Sequence, residues 1–112
     1  MAPRESLTEF EYLVVLAALR LGPDEAYTVS IADVIEDRTG RSVRRANVYT
    51  TLLRLEEKGF VATRLGEPRP ERGGKPRRLV DVLPEGLAAA RAATEGIRAM
   101  TAGLDDALGG AV

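Results

Sequence analysis

Apolar positions along this chain run in helical spacing, switch to strand alternation, and then return to helical spacing. Phe10, Leu13, Val14, Leu16, Ala17 and Leu21 recur every three or four residues, which predicts a first helix from about Thr8 to Leu21. Thr8 with Glu11 fits a capping box, and Ser6 with Glu9 offers an alternative register. Gly22 and Pro23 stop the helix. Its apolar set is wider than one stripe, so part of it wants a second surface. Ile31, Val34 and Ile35 predict a second helix from Val29 to Thr39, capped by Thr28 or Ser30 and ended by Gly40. In the next segment Val48, Leu52 and Leu55 mark the inward face of a third helix. Arg45, Asn47, Thr50, Thr51 and Arg54 are then left mostly outward.

Residues 60–65 and 78–83 alternate as strands around a tip at 66–75 that holds Pro68, Pro70, Gly73 and Gly74. That composition predicts an exposed hairpin loop. From Pro84 onward, Leu87, Ala90, Thr94, Ile97, Thr101, Leu104 and Leu108 form a heptad-like seam. The spacing predicts a helix from 84 to 108, roughly 37 Å long, which a small core cannot cover along its length. The surplus stripe needs a partner, and a homodimer is the economical answer. Its expected interface is Phe10, Leu13, Leu87, Ile97, Met100, Leu104 and Leu108.

The expected fold is therefore mainly α with a small β-hairpin. Residues 1–83 read as a winged helix-turn-helix, and residues 84–112 as a C-terminal dimerisation helix and tail.

Composition removes several chemistries. The 112 residues contain no Cys and no His, which excludes disulfides, Cys/His zinc sites, thiolate nucleophiles and Ser-His-Asp triads. No acidic cluster has metal-ligand spacing, so no metal and no cofactor are expected, and an enzyme is a remote reading. The N-terminal stretch lacks an apolar signal region and no 18-residue apolar run occurs. A soluble, cytoplasmic protein without membrane contact is expected.

Charge sharpens the picture. Net charge is −1, yet between Arg41 and Arg78 eleven bases face only four acids. A polarised molecule of this kind expects a polyanionic partner, here double-stranded DNA. Arg44 and Arg45 lie at the positive end of the third helix's dipole, where a base costs about 0.3–1 kcal/mol. Phosphates would offset that cost. Candidate contacts are Arg41, Arg44, Arg45, Asn47, Tyr49 and Thr50 on the helix side. Arg72, Lys75, Arg77 and Arg78 are the candidates on the hairpin. Tyr49 is equally readable as half-buried packing. The hairpin bases also suit plain edge protection, and an acidic protein partner is the alternative to DNA. GEPRPERGGKP lacks the GxxxxGK[ST] of a nucleotide loop and opens no helix.

Three segments carry a family resemblance: NVYTTLLRLEEKGFV at 47–61, GEPRPERGG at 66–74 and LPEGLAAAR at 83–91. In this order and spacing the chain resembles PadR-family transcriptional regulators of the short type, over roughly residues 7–108. The resemblance implies a winged-helix homodimer joined through its first and last helices. It further implies repression at a pseudo-palindromic operator and, in some members, release of DNA by a small hydrophobic or phenolic effector. Tyr49 then matches the recognition-helix tyrosine, Tyr27 the tyrosine opening the second helix, and Gly73 to Arg78 the basic wing. The chain departs from the pattern at Arg44, where a Ser or Thr cap is common, and at Leu83, where a Thr cap is usual. Losing the second cap costs about 1 kcal/mol of local helix stability. Leu79 and Val80 stand where aromatic residues are usual, and the absence of Trp rules out a ligand pocket of stacked tryptophans.

Overall fold

The computed structural model describes residues 6–68, 73 and 76–109. Three helices, α1 (Glu9–Leu21), α2 (Thr28–Thr39) and α3 (Arg45–Glu57), precede a hairpin of β1 (Val61–Pro68) and β2 (Pro76–Val82). Helix α4 (Pro84–Thr101) follows directly. The strands pair antiparallel from Val61 opposite Val82 to Leu65 opposite Arg78, and the register shifts before Pro68 meets Pro76. The Val80 amide reaches back to the Ala26 carbonyl at 2.8 Å, so the segment before α2 is stitched to the hairpin. Val14, Val15, Ile31, Val48, Leu55 and Val80 are buried where α1, α2, α3 and the hairpin converge.

Local sequence explains most boundaries. Thr8 and Glu11 close the capping box of α1, with bonds of 3.2 Å and 2.9 Å. The cap of α2 sits at Tyr27, ahead of both expected positions, Thr28 and Ser30. Ser30 Oγ accepts the Tyr27 amide at 3.0 Å and donates to the Glu25 carbonyl at 2.7 Å, so its role is to fold back on the turn. Gly40 ends α2 in the left-handed region at φ +75°, where a side chain would strain the backbone. Leu83 caps α4 with no side-chain bond, and Pro84 opens it.

Two expectations need correction. Helix α4 stops at Thr101 and spans about 27 Å instead of reaching residue 108. Ala102 turns extended and Gly103 takes φ +84°, while Leu104 and Leu108 close a separate turn at 2.9 Å. Gly103 weakens a helix by about 1 kcal/mol, and the acids of Asp105 and Asp106 suit a helix start better than an end. Thr51 is also inside, at 2% exposure, because it lies three residues after Val48 on the buried face.

Glu11 is buried to 1% exposure and ties α1 to the C-terminal end of α3. Beyond its cap, it receives Lys58 Nζ at 3.0 Å on both oxygens and lies 3.5 Å from Arg54 Nε. Burial pushes its carboxyl up from 4.5. The Thr8 amide and the charges of Lys58 and Arg54 more than offset this, and the net is a lowered value. Glu11→Ala should cost about 2–4 kcal/mol in urea unfolding, combining a lost cap with lost charged hydrogen bonds. The folded chain holds this proton less tightly than the unfolded chain. The carboxylate's contribution is therefore complete above pH 4.5 and fades as pH falls through the lower folded value. Glu11→Gln should flatten that acid limb, and an unchanged limb would contradict the assignment.

Candidate nucleic-acid interface

The link between α2 and α3 is held from both sides. Thr39 Oγ1 donates to the Ile35 carbonyl at 2.6 Å and accepts the Arg41 amide at 3.1 Å. The Val43 amide donates to Glu36 Oε2 at 2.7 Å. These bonds set where α3 begins, with Arg44 as an extended N-cap that makes no side-chain cap bond. The first turn of α3 contains no acid. Its positive end is thus presented together with two exposed arginines, and neither has an acidic partner among the described residues.

Around α3, Val48, Thr51, Leu52 and Leu55 define the buried side. With 3.6 residues per turn, Ala46, Thr50 and Leu53 lie opposite, and all three are exposed. Arg45 and Tyr49 flank this stripe on one side, Asn47 and Arg54 on the other. Tyr49 is 49% exposed, so half of its ring is free of packing. Leu53, at 44%, escaped the sequence reading because it adjoins the core residue Leu52. Only the angular position within the helix separates the two.

The other bases divide by partner. Arg41 Nη1 meets Glu9 Oε1 at 3.0 Å and its guanidinium lies 5.9 Å from the centre of the Phe10 ring. Arg41 and Phe10, together with Asn47, Thr50 and Arg54, line an open cleft of about 320 Å³. On the hairpin, Thr63 Oγ1 donates to Glu56 Oε2 at 3.0 Å and accepts from Arg78 Nη1 at 3.2 Å. That chain holds the exposed Arg78 beside Tyr49 and Leu53 on the wall of a small cleft. Arg64 instead pairs with Asp24 at 2.9 Å.

Arg77 does not belong with the exposed bases. It is 8% exposed, with its guanidinium 4.8 Å from the Tyr27 ring centre and 4.0 Å from Glu25. It alternates inward from Arg78 along β2, and the Tyr27 face provides a cation–π seat that takes it out of solvent. Arg72 and Lys75 lie outside the described residues.

No family model and no curated protein matches the sequence. Solved structures match the fold. A PadR-family transcriptional regulator from Eggerthella lenta DSM 2243 superposes with a TM-score of 0.67 at 24% identity, covering 89% of this chain and 86% of that one. A transcriptional regulator from Clostridium thermocellum gives 0.65 at 17% identity, covering 81% and 84%. The fold is the winged helix of these regulators.

In this winged helix, α3 occupies the place of the second helix of a helix-turn-helix, with β1 and β2 as the wing beside it. A second feature sits on another face. Between the start of α1 and α4 runs an apolar groove of about 730 Å³, walled by Leu7, Tyr12, Ala93, Ile97 and Met100. Tyr12 Oη and Thr94 Oγ1 join α1 to α4 at 2.6 Å. Met100 is 77% exposed, and Ile97, Leu104 and Leu108 are exposed as well. Leu87 is partly covered. Phe10 and Leu13 do not line this groove. Phe10 lies under Arg41 on the α3 side, and Leu13 lines an open furrow between α1 and α2. Among the described residues no set of acids could hold a metal ion, and no helix is long and apolar enough to cross a membrane.

Proposed function

We propose that this chain is a transcriptional regulator that binds double-stranded DNA as a homodimer. Helix α3 lies in the major groove and the β1–β2 wing lies along the neighbouring backbone. The observation that carries the reading is the start of α3, where Arg44, Arg45 and a bare helix N-terminus face outward without an acidic partner among the described residues. Such an arrangement opposes its own helix dipole and is offset by phosphate. Arg45 and Asn47 can meet guanine and adenine edges with paired hydrogen bonds. Arg44, Arg41, Arg78 and the Tyr49 hydroxyl suit the backbone, and Arg72 and Lys75 would complete the wing. Arg77 leaves the contact set because it is buried on Tyr27.

The homodimer rests on the exposed Ile97 and Met100 and the groove beside them, since isolated chains seldom leave such a stripe uncovered. In such a pair the two α3 helices must meet successive major grooves, about 34–36 Å apart. Occlusion of a promoter, the mode the PadR resemblance implies, then follows from occupancy alone. A small hydrophobic effector would find its apolar surface in the same groove. Such a regulator carries out no catalysis and works in the cytoplasm with its DNA.

Ile97→Glu with Met100→Glu should convert a two-chain species to single chains in light scattering, with helicity kept. A wild-type protein of one chain at tens of micromolar would remove the dimer. Selection from random duplexes tests the DNA reading itself. It should enrich an inverted repeat with half-sites about one helical turn apart, and a pool without any motif would sink it.

A further inference from the structure

We infer that the centre of the exposed α3 face reads thymine methyl groups, with Leu53 as the specificity-determining side chain. The inference rests on the DNA-binding reading and names what that face recognises. The stripe opposite the buried side is Ala46, Thr50 and Leu53, one residue per turn of the helix. Ala46 and Leu53 have no hydrogen-bonding side-chain atom. Thr50 Oγ1 donates to the Ala46 carbonyl at 2.9 Å, so its proton is used within the helix. The middle of the face is therefore mostly methyl-bearing surface with no free donor, Thr50 Oγ1 keeping only acceptor capacity. The donors stand on its flanks, at Arg45 and Tyr49 on one side and Asn47 and Arg54 on the other.

Major-groove chemistry offers one match to such a surface. Only an A·T pair presents a methyl, on thymine C5, and apolar side chains recognise it by contact. A lone exposed leucine is ordinary on a protein surface. This one sits on the same small cleft as Tyr49 and Arg78, so a duplex held by Arg45 and Arg78 brings its groove edge onto Leu53. One turn further along the stripe stands exposed Glu57, whose charge opposes phosphate. The contact thus spans Ala46 to Leu53 and ends there.

The test uses the full chain and the duplex it selects from a random library, followed by anisotropy titration. Each thymine is replaced singly by deoxyuridine, which removes only the C5 methyl. At one or two positions per half-site the affinity should fall about fourfold, the factor that one buried methyl confers. Leu53→Ala should lose affinity for the unmodified duplex and become indifferent at those positions, while Arg45→Ala stays sensitive to them. A selected duplex that tolerates deoxyuridine at every position overturns the inference and leaves DNA binding intact. A selection that yields no preferred sequence overturns both. The wild-type series decides without any variant, so a poorly folding Leu53→Ala does not blur the result.

Discussion

Gly86→Ala is expected to lower the unfolding free energy by about 3 kcal/mol or more, the upper end for overpacking. A Cβ at this position would lie 2.2 Å from the Phe60 carbonyl oxygen and 3.0 Å from its carbon. Neither partner can yield easily. The same carbonyl accepts the Leu83 amide at 2.9 Å, and the Phe60 amide is bonded to the Leu55 carbonyl at 2.9 Å. The obstacle is backbone anchored on both sides, not the flexible end of a side chain. Helix α4 would have to lift from the junction of α3 and β1, uncovering Ala89 and Ala90 from the core. A thermal midpoint lower by about 15 °C should accompany the change in a domain of this size. A variant within about 0.5 kcal/mol of wild type would mean that α4 is not seated this closely.

The second large effect concerns Arg44 and Arg45. Replacing both with Ala should weaken binding to the selected duplex by about thirty- to a thousandfold, and the logarithmic salt slope should fall by about one to two units. Folding should move the other way. Removing two bases from the positive end of α3 relieves about 0.3–1 kcal/mol each, so the double variant should match or exceed wild-type stability. Opposite signs for binding and stability distinguish a ligand-facing pair from arginines that merely solubilise the helix. Equal affinity for both proteins would contradict the assignment.

Short-range chemistry made much of this fold readable from the residues alone. The Thr8–Glu11 box, the left-handed Gly40 and the Pro84 start each act within one helical turn, and each appears where the local pattern puts it. What escaped depends on distance in sequence. Glu11 reads as a cap, yet its burial is made tolerable by Lys58, 47 residues away. Arg77 reads as one more wing base until the Tyr27 ring appears beneath it. Spacing alone carries the seam of α4 through Leu104 and Leu108, because it cannot register a break at Ala102 and Gly103. At the candidate interface, charge and dipole point to Arg44 and Arg45, and the bidentate reach of its amide to Asn47. Leu53 became visible only once the buried side of α3 was known, since a Leu-Leu pair does not say which member faces out.

The central claim is sequence-specific DNA binding by a pair of chains, and anisotropy titration across a salt series tests it most directly. The purified chain is titrated against its selected duplex and a scrambled one of equal composition. The account predicts saturation at two chains per duplex and, at near-physiological salt, a preference for the selected sequence of at least about a thousandfold. Equal weak binding to both duplexes that vanishes as salt rises would contradict it, leaving a basic face without readout.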